Sequence, residues 1–186
     1  MRRERGIALV VALVMLAAVL LLAATAAGMA LMGEKAARAE RDRHVALQAA
    51  EDALMDAERD IDEAASSREA VLAGPGDFAA GCGAGAALGL CGPDDGAGAP
   101  PWQSVDLAAG DAGVALGHFT GAAMQTGQGA LPMRRPRYII ERRPYHRPGE
   151  EAGAAPRYYY RVTAIGFGNR EAVQVVLQSA WRRPGD

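Results

Sequence analysis

Lysine is almost absent from this chain: Lys35 is the only one among 20 basic residues. Aromatic residues are scarce at 5%, and most of the tyrosines fall in the last third. Neither sign of charge dominates, with a formal net charge of −2, so nothing global points to nucleic acid. The three histidines, His44, His118 and His146, are far apart and in no ligand spacing. Cys82 and Cys91 are the only cysteines, and two thiols without a nearby histidine or second pair do not complete a tetrahedral metal site. Asp94, Asp95 and Asp106 lie in a loop-like region without EF-hand spacing. No nucleophile elbow, P-loop or dinucleotide fingerprint is present. Gly81-Cys82-Gly83-Ala84-Gly85 has the glycines of a phosphate loop but no strand-then-helix context. No catalytic constellation is visible, so the expectation is a protein that is not an enzyme and holds no cofactor and no metal.

What is present begins with an apolar run. Ile7 to Met32 contains no charge, and Thr25 is its only polar side chain. As a helix it would be about 39 Å long, against a bilayer core of about 30 Å. Arg2, Arg3 and Arg5 precede it. The positive-inside rule then places the N-terminus in the cytoplasm and the rest on the far side. An ordinary secretory signal also starts with a basic stretch, and Ala-Thr-Ala-Ala-Gly at 24–28 has the small residues of a cleavage site. Its apolar region would be only about 7–15 residues, however.

The start reads Met-Arg-Arg-Glu-Arg-Gly followed by Ile-Ala-Leu-Val-Val-Ala-Leu. A short basic leader ending in Gly6 before a long apolar helix resembles the type III signal of pilins and pseudopilins. The resemblance implies cleavage by a prepilin peptidase between Gly6 and Ile7, with Ile7 as an N-methylated new terminus. Residues 41–54, Arg-Asp-Arg-His-Val-Ala-Leu-Gln-Ala-Ala-Glu-Asp-Ala-Leu, are similar to the N-terminal region of the PilX family of pilus assembly proteins. Arg-Tyr-Ile-Ile-Glu (137–141), Tyr-Arg-Val-Thr-Ala (160–164) and Val-Leu-Gln-Ser (176–179) also look like that family.

After the apolar run the chain turns polar without losing helical character. No Gly or Pro occurs between Glu34 and Arg68. Leu47, Ala50, Leu54, Ala57, Ile61 and Ala64 recur at helical spacing and form one packing face. Arg43, Glu51, Asp52, Glu58 and Arg59 occupy much of the rest. The pattern predicts one helix over 7–66, with Gly28 and Gly33 as its weak points. Gly74-Pro75-Gly76 ends it, and 74–130 reads as loop. Cys82 and Cys91 fall in that loop. On the exported side of a membrane two cysteines favour a disulfide, and closing a loop this short stabilises by about 2–3 kcal/mol in the chain-entropy model.

The last third reads as strands: Tyr138–Glu141, Tyr158–Phe167, a turn at Gly168-Asn169, and a return over Glu171–Trp181. Tyr160, Val162 and Ala164 share one face, as do Val173, Val175, Leu177 and Ser179, and both rows can bury against the helix. The expected fold is α+β and pilin-like: one long helix, transmembrane in its first half, packed on a small antiparallel sheet. The expected organisation is a leader over 1–6, a transmembrane or filament-core helix over 7–32, its amphipathic continuation over 33–68, and an exported head over 69–186.

Six arginines crowd the stretch 134–147, interleaved with Tyr138, Tyr145 and His146. Such a pattern can track a nucleic-acid backbone. A charged strand edge that discourages unwanted pairing is the preferred reading, because the cluster is short and the chain is not basic overall.

In most pilins the fifth residue of the mature chain is a glutamate; counted from Ile7, it is Val11 here. This matches the K-type pseudopilins and PilX-like minor pilins. The resemblance implies a minor pilin that helps initiate type IV pilus assembly at or near the filament tip. Its partners would be other minor pilins, the major pilin, the prepilin peptidase and the inner membrane. It would be single-pass in that membrane with a periplasmic head, and later reach the pilus at the cell surface. The alternatives are a membrane-anchored periplasmic protein without a pilus role, and a tip adhesin or DNA-binding subunit.

Overall fold

The computed structural model describes residues 4–62, 66–68, 72, 78, 81–92, 98–149, 153 and 157–183. Ala64, Gly74-Pro75-Gly76, Asp94 and Asp95 lie outside the described residues. The chain divides into two units, Met1–Arg41 and Asp42–Asp186.

In the first unit, helix α1 (Glu4–Ile61) runs through the apolar run, and every residue from 7 to 41 is exposed. Gly28 and Gly33 are helical, with nothing within 4 Å of where a Cβ would stand. An isolated glycine costs a helix about 1 kcal/mol, which the flanking alanines and leucines absorb here.

The second unit packs the rest of α1 against a sheet. Strands β1 (Leu90–Cys91), β2 (Val114–Ala115), β3 (Arg137–Tyr145), β4 (Arg157–Phe167) and β5 (Gln174–Trp181) run in the order β1-β3-β4-β5, with β2 also on β3. A short helix, α2 (Pro101–Ser104), lies between β1 and β2. The β3-β4-β5 meander is antiparallel, as the sequence pattern implied. The sheet as a whole is mixed, because β1 joins β3 in parallel through Leu90↔Ile140 and Cys91↔Glu141. The disulfide loop brings β1 in from that side, a long-range pairing that no local pattern encodes.

The two faces of the sheet bury different cores. Tyr138, Ile140, Tyr160, Val162 and Ala164 pack with Ala53, Ala57 and Ile61 of the helix. Ile139, Ile165 and Phe167 point the other way, onto Leu107 and the Cys82–Cys91 disulfide. Period-two alternation separates the two sets. The β4-β5 register places Val162 opposite Ser179 and Ala164 opposite Leu177, which joins the two rows read from the sequence.

The helix stops short of residue 66. Asp62 is in a turn, and Ser66–Arg68 are not helical. Arg68 pairs with Asp60, eight positions earlier. In a continued helix these would be about 12 Å apart along the axis, so the chain must reverse to bring them together.

Candidate functional site

From Ile7 to Met32 the first unit presents an uncharged, apolar helix surface. Ile7 is 68% exposed and Val11 49%, with Leu13, Val14 and Leu20 similarly open. Gly6 and Ile7 fall within the first turns of α1. Among the described residues this is the one helix long and apolar enough to cross a membrane.

In the second unit, the buried positions of α1 are Asp42, Ala46, Ala49, Ala50, Ala53, Asp56, Ala57, Asp60 and Ile61. Of the residues expected on the packing face, Ala50, Ala57 and Ile61 are fully buried, while Leu47 and Leu54 are half-buried at its margin. The centre of the stripe is alanine because the sheet comes very close. A Cβ on Gly166 would stand 2.1 Å from the Ala46 carbonyl oxygen and 2.4 Å from the Ala50 nitrogen. Leucine in the middle of that contact would not fit at native packing density.

Three aspartates punctuate this stripe, and each holds a different segment of the head. Asp42 accepts from the Asn169 backbone N–H at 2.5 Å and from Arg170 Nε at 2.7 Å, fixing the β4-β5 turn. Asp56 accepts from the Gly117 N–H at 2.8 Å and from the Thr120 hydroxyl, fixing the loop after β2. Asp60 accepts from Ser66 Oγ at 2.7 Å and from Tyr138 Oη at 2.9 Å, and is gripped by Arg68 through both Nε and Nη2.

The Asp60–Arg68 pair is the most buried of these, at 0% and 1% side-chain exposure. Arg68 also donates Nη1 to the Leu88 carbonyl at 2.5 Å, and its guanidinium lies 3.9 Å over the Phe119 ring. One cation thus joins the helix end, the turn before β1 and the loop after β2. Burial, then the Asp60 and Asp56 charges, push the Tyr138 hydroxyl well above its ordinary pKa. It therefore stays protonated and keeps donating to Asp60. Sequence reading missed these acids, although Asp42, Asp56 and Asp60 are 14 and 4 residues apart on one helical face. That spacing was the available signal.

The arginine cluster is only partly the solvated strand edge expected from sequence. From Arg137 to Glu141 strand β3 is interior, with β4 on one side and β1 and β2 on the other. Only Arg142–Tyr145 has an open side among the described residues. Arg134 stacks 3.9 Å over Phe167 and donates to the Ala108 carbonyl at 2.9 Å. Arg142 lies 4.7 Å from the centres of both Phe78 and Tyr158. Just across the sheet, Glu141 accepts from Arg161 Nε and Nη2 at 2.9 and 2.6 Å, and this bonding raises the Arg161 pKa. Several of these cations therefore serve packing.

The residues weighed for metal are not brought together. Asp106 caps its own turn, accepting from the Ala108 and Ala109 N–H groups. His118 packs edge-on against Phe119, His44 is exposed on α1, and His146 is exposed just past the end of β3. Among the described residues no group of three or more metal-ligating side chains forms.

Comparison with known families gives two matches. Residues 5–54 match the PilX N-terminal model, and residues 87–183 match the model described as Type IV pilus assembly protein PilX C-term. No curated protein and no solved structure matches the chain. The two models take in the apolar helix, its continuation through Asp42 as far as Leu54, and the whole sheet, while Asp56 and Asp60 fall between them. The chain belongs to the PilX family of type IV pilus assembly proteins.

Proposed function

We propose that this protein is a low-copy minor pilin that helps initiate type IV pilus assembly at or near the filament tip. The observation that carries the reading is Val11, exposed on an apolar helix where pilins that build the shaft hold a glutamate. In a shaft, that carboxylate neutralises the N-terminal amine of a neighbouring subunit, because an unpaired charge in an apolar core costs several kcal/mol. A subunit with none above it has no such amine to meet. Arg2, Arg3 and Arg5 support an N-terminus held in the cytoplasm, with the disulfide-bearing unit exported. The role is structural and requires no catalysis.

The test is stoichiometry. Quantitative mass spectrometry of sheared pili should find about one or a few copies per filament, independent of length, and loss of the protein should sharply reduce pilus number. A copy number that rises in proportion to filament length would make it a shaft subunit and overturn the tip reading.

Entry into the filament pathway requires processing. N-terminal mass spectrometry should find the mature chain beginning at Ile7. Gly6→Val should leave the leader attached, since the cut follows a small residue. Wild-type protein of identical length in cells with and without the peptidase would count against the pathway itself.

A further inference from the structure

β5 is the terminal strand of the sheet, and among the described residues β4 is its only partner. The Gly168 N–H donates to the Val173 carbonyl at 2.8 Å, which sets the phase of the ladder. Residues Val175, Leu177, Ser179 and Trp181 therefore turn their backbone polar groups toward β4. Gln174, Val176, Gln178 and Ala180 turn theirs to the open side, and their side chains are exposed as well.

Edge strands in natural sheets are guarded by charge, proline, bulges or shortness. The other side of this sheet obeys that rule. β1 and β2 are two residues each, and the open part of β3 reads Arg142-Arg143-Pro144-Tyr145. β5 has none of these guards. Its eight residues, Gln-Val-Val-Leu-Gln-Ser-Ala-Trp, include no charge, no Pro and no Gly, and its register on β4 is unbroken. Among the described residues, one edge of the sheet is closed to strand addition and the other is left open.

We infer that β5 is a docking strand, along which an extended segment of another pilus-assembly subunit pairs, with an apolar side chain against Val176 and a carboxylate at Arg182. Val176 is 57% exposed, an apolar residue in the middle of the outward row. At the Trp181 end, Arg182 donates Nη1 to the Tyr145 hydroxyl at 3.1 Å and lies 5.9 Å from the centre of that ring. Tyr145, Tyr159, Ala180, Trp181 and Arg182 line a shallow depression there. Its cationic lip is complementary to an acidic residue just past the paired segment, and tyrosine, tryptophan and arginine are the side chains that most often anchor protein interfaces. The inference needs membership in the pilus-assembly family but not the tip position.

The test uses the full-length chain in cells that assemble pili, with a photo-cross-linking phenylalanine at Gln174 or at Gln178. Both adducts should fall in one extended segment of one other pilus subunit, displaced along it by the same number of residues as the two probes. Val176→Pro removes an outward N–H while sparing the bonds to β4, and should cut adduct yield about tenfold. Ala180→Lys guards the edge without touching the backbone and should do the same, whereas Val176→Thr, which keeps the outward N–H and one methyl, should lower the yield by less than Val176→Pro. Arg182→Glu should lower it. Should Val176→Pro fail to accumulate, Ala180→Lys decides. Adducts on a helix, on a second copy of this chain, scattered or missing altogether would overturn the inference, as would yields indifferent to Ala180→Lys. A copy number that scales with filament length would sink the tip reading and leave these adducts unchanged.

Discussion

Replacing Asp60 by alanine should destabilise the Asp42–Asp186 unit by about 3–5 kcal/mol, because it leaves the Arg68 cation buried without its anion. The Tyr138 hydroxyl would lose its acceptor at the same time. Domains are stable by only about 5–15 kcal/mol, so this is a large share of the margin. In thermal unfolding of the full chain, the midpoint of the sheet-bearing unit should fall by roughly 10–20 °C. Asp60→Asn, which keeps an acceptor of the same shape, should fall by less. The double variant Asp60→Leu with Arg68→Met should recover part of the loss, since removing both partners leaves no uncompensated charge. The exposed pair Glu34–Arg38 makes the contrast, with side chains 56% and 76% exposed. Glu34→Ala should change stability by less than about 0.5 kcal/mol. Equal effects from Asp60→Ala and Glu34→Ala would show that burial does not set the worth of these pairs.

The second large effect concerns the closest approach between helix and sheet. Gly166→Ala should destabilise the same unit by about 2–3 kcal/mol or more, and Gly166→Val should prevent it from folding. The new Cβ would stand 2.9 Å from the Ala50 Cβ and nearer still to the backbone of Ala46 and Ala50. Helix backbone cannot step aside as a long side chain can. The whole stripe Ala46, Ala50, Ala53 and Ala57 would lift from β4, opening space beneath it. Gly168 lies next along the same line, where a Cβ would meet the Asp42 carboxylate at 2.3 Å. Gly33→Ala is the control, with nothing within 4 Å, and should leave unfolding of the sheet-bearing unit unchanged. Circular dichroism of the purified chain reads all three. A Gly166→Ala midpoint within about 2 °C of wild type would mean that the helix can shift without loss, against the packing argument.

Much of this protein was legible before its structure, and the reason is periodicity. An uncharged run from Ile7 to Met32 is a statement about solvent that holds in any fold. The recurrence through Leu47–Ile61 marks a helix, and alternation through Tyr160–Ala164 and Val173–Ser179 marks paired strands. Each is a local property, carried by residues a few positions apart. The basic start before Gly6, the stretch 41–54 and the apolar residue at Val11 were equally local, and they sufficed to suggest the family.

What tertiary structure decided was everything that depends on residues far apart in the chain. Asp42, Asp56 and Asp60 look like solvated helix acids until Asn169, Thr120, Arg68 and Tyr138 come to meet them. The length of the helix was set by the same encounter, since Arg68 can reach Asp60 only if the chain turns back. Arg134 and Arg142 counted as surface charge until Phe167 and Phe78 were found beneath them. The parallel strand at Leu90–Cys91 exists because β3 offers it an edge, and the second core of Ile139, Ile165 and Phe167 forms because the disulfide loop covers that face. Hydrophobic spacing specifies which residues leave water. It does not specify which distant partner satisfies a buried charge or closes an open strand, because that depends on how the loops between them return.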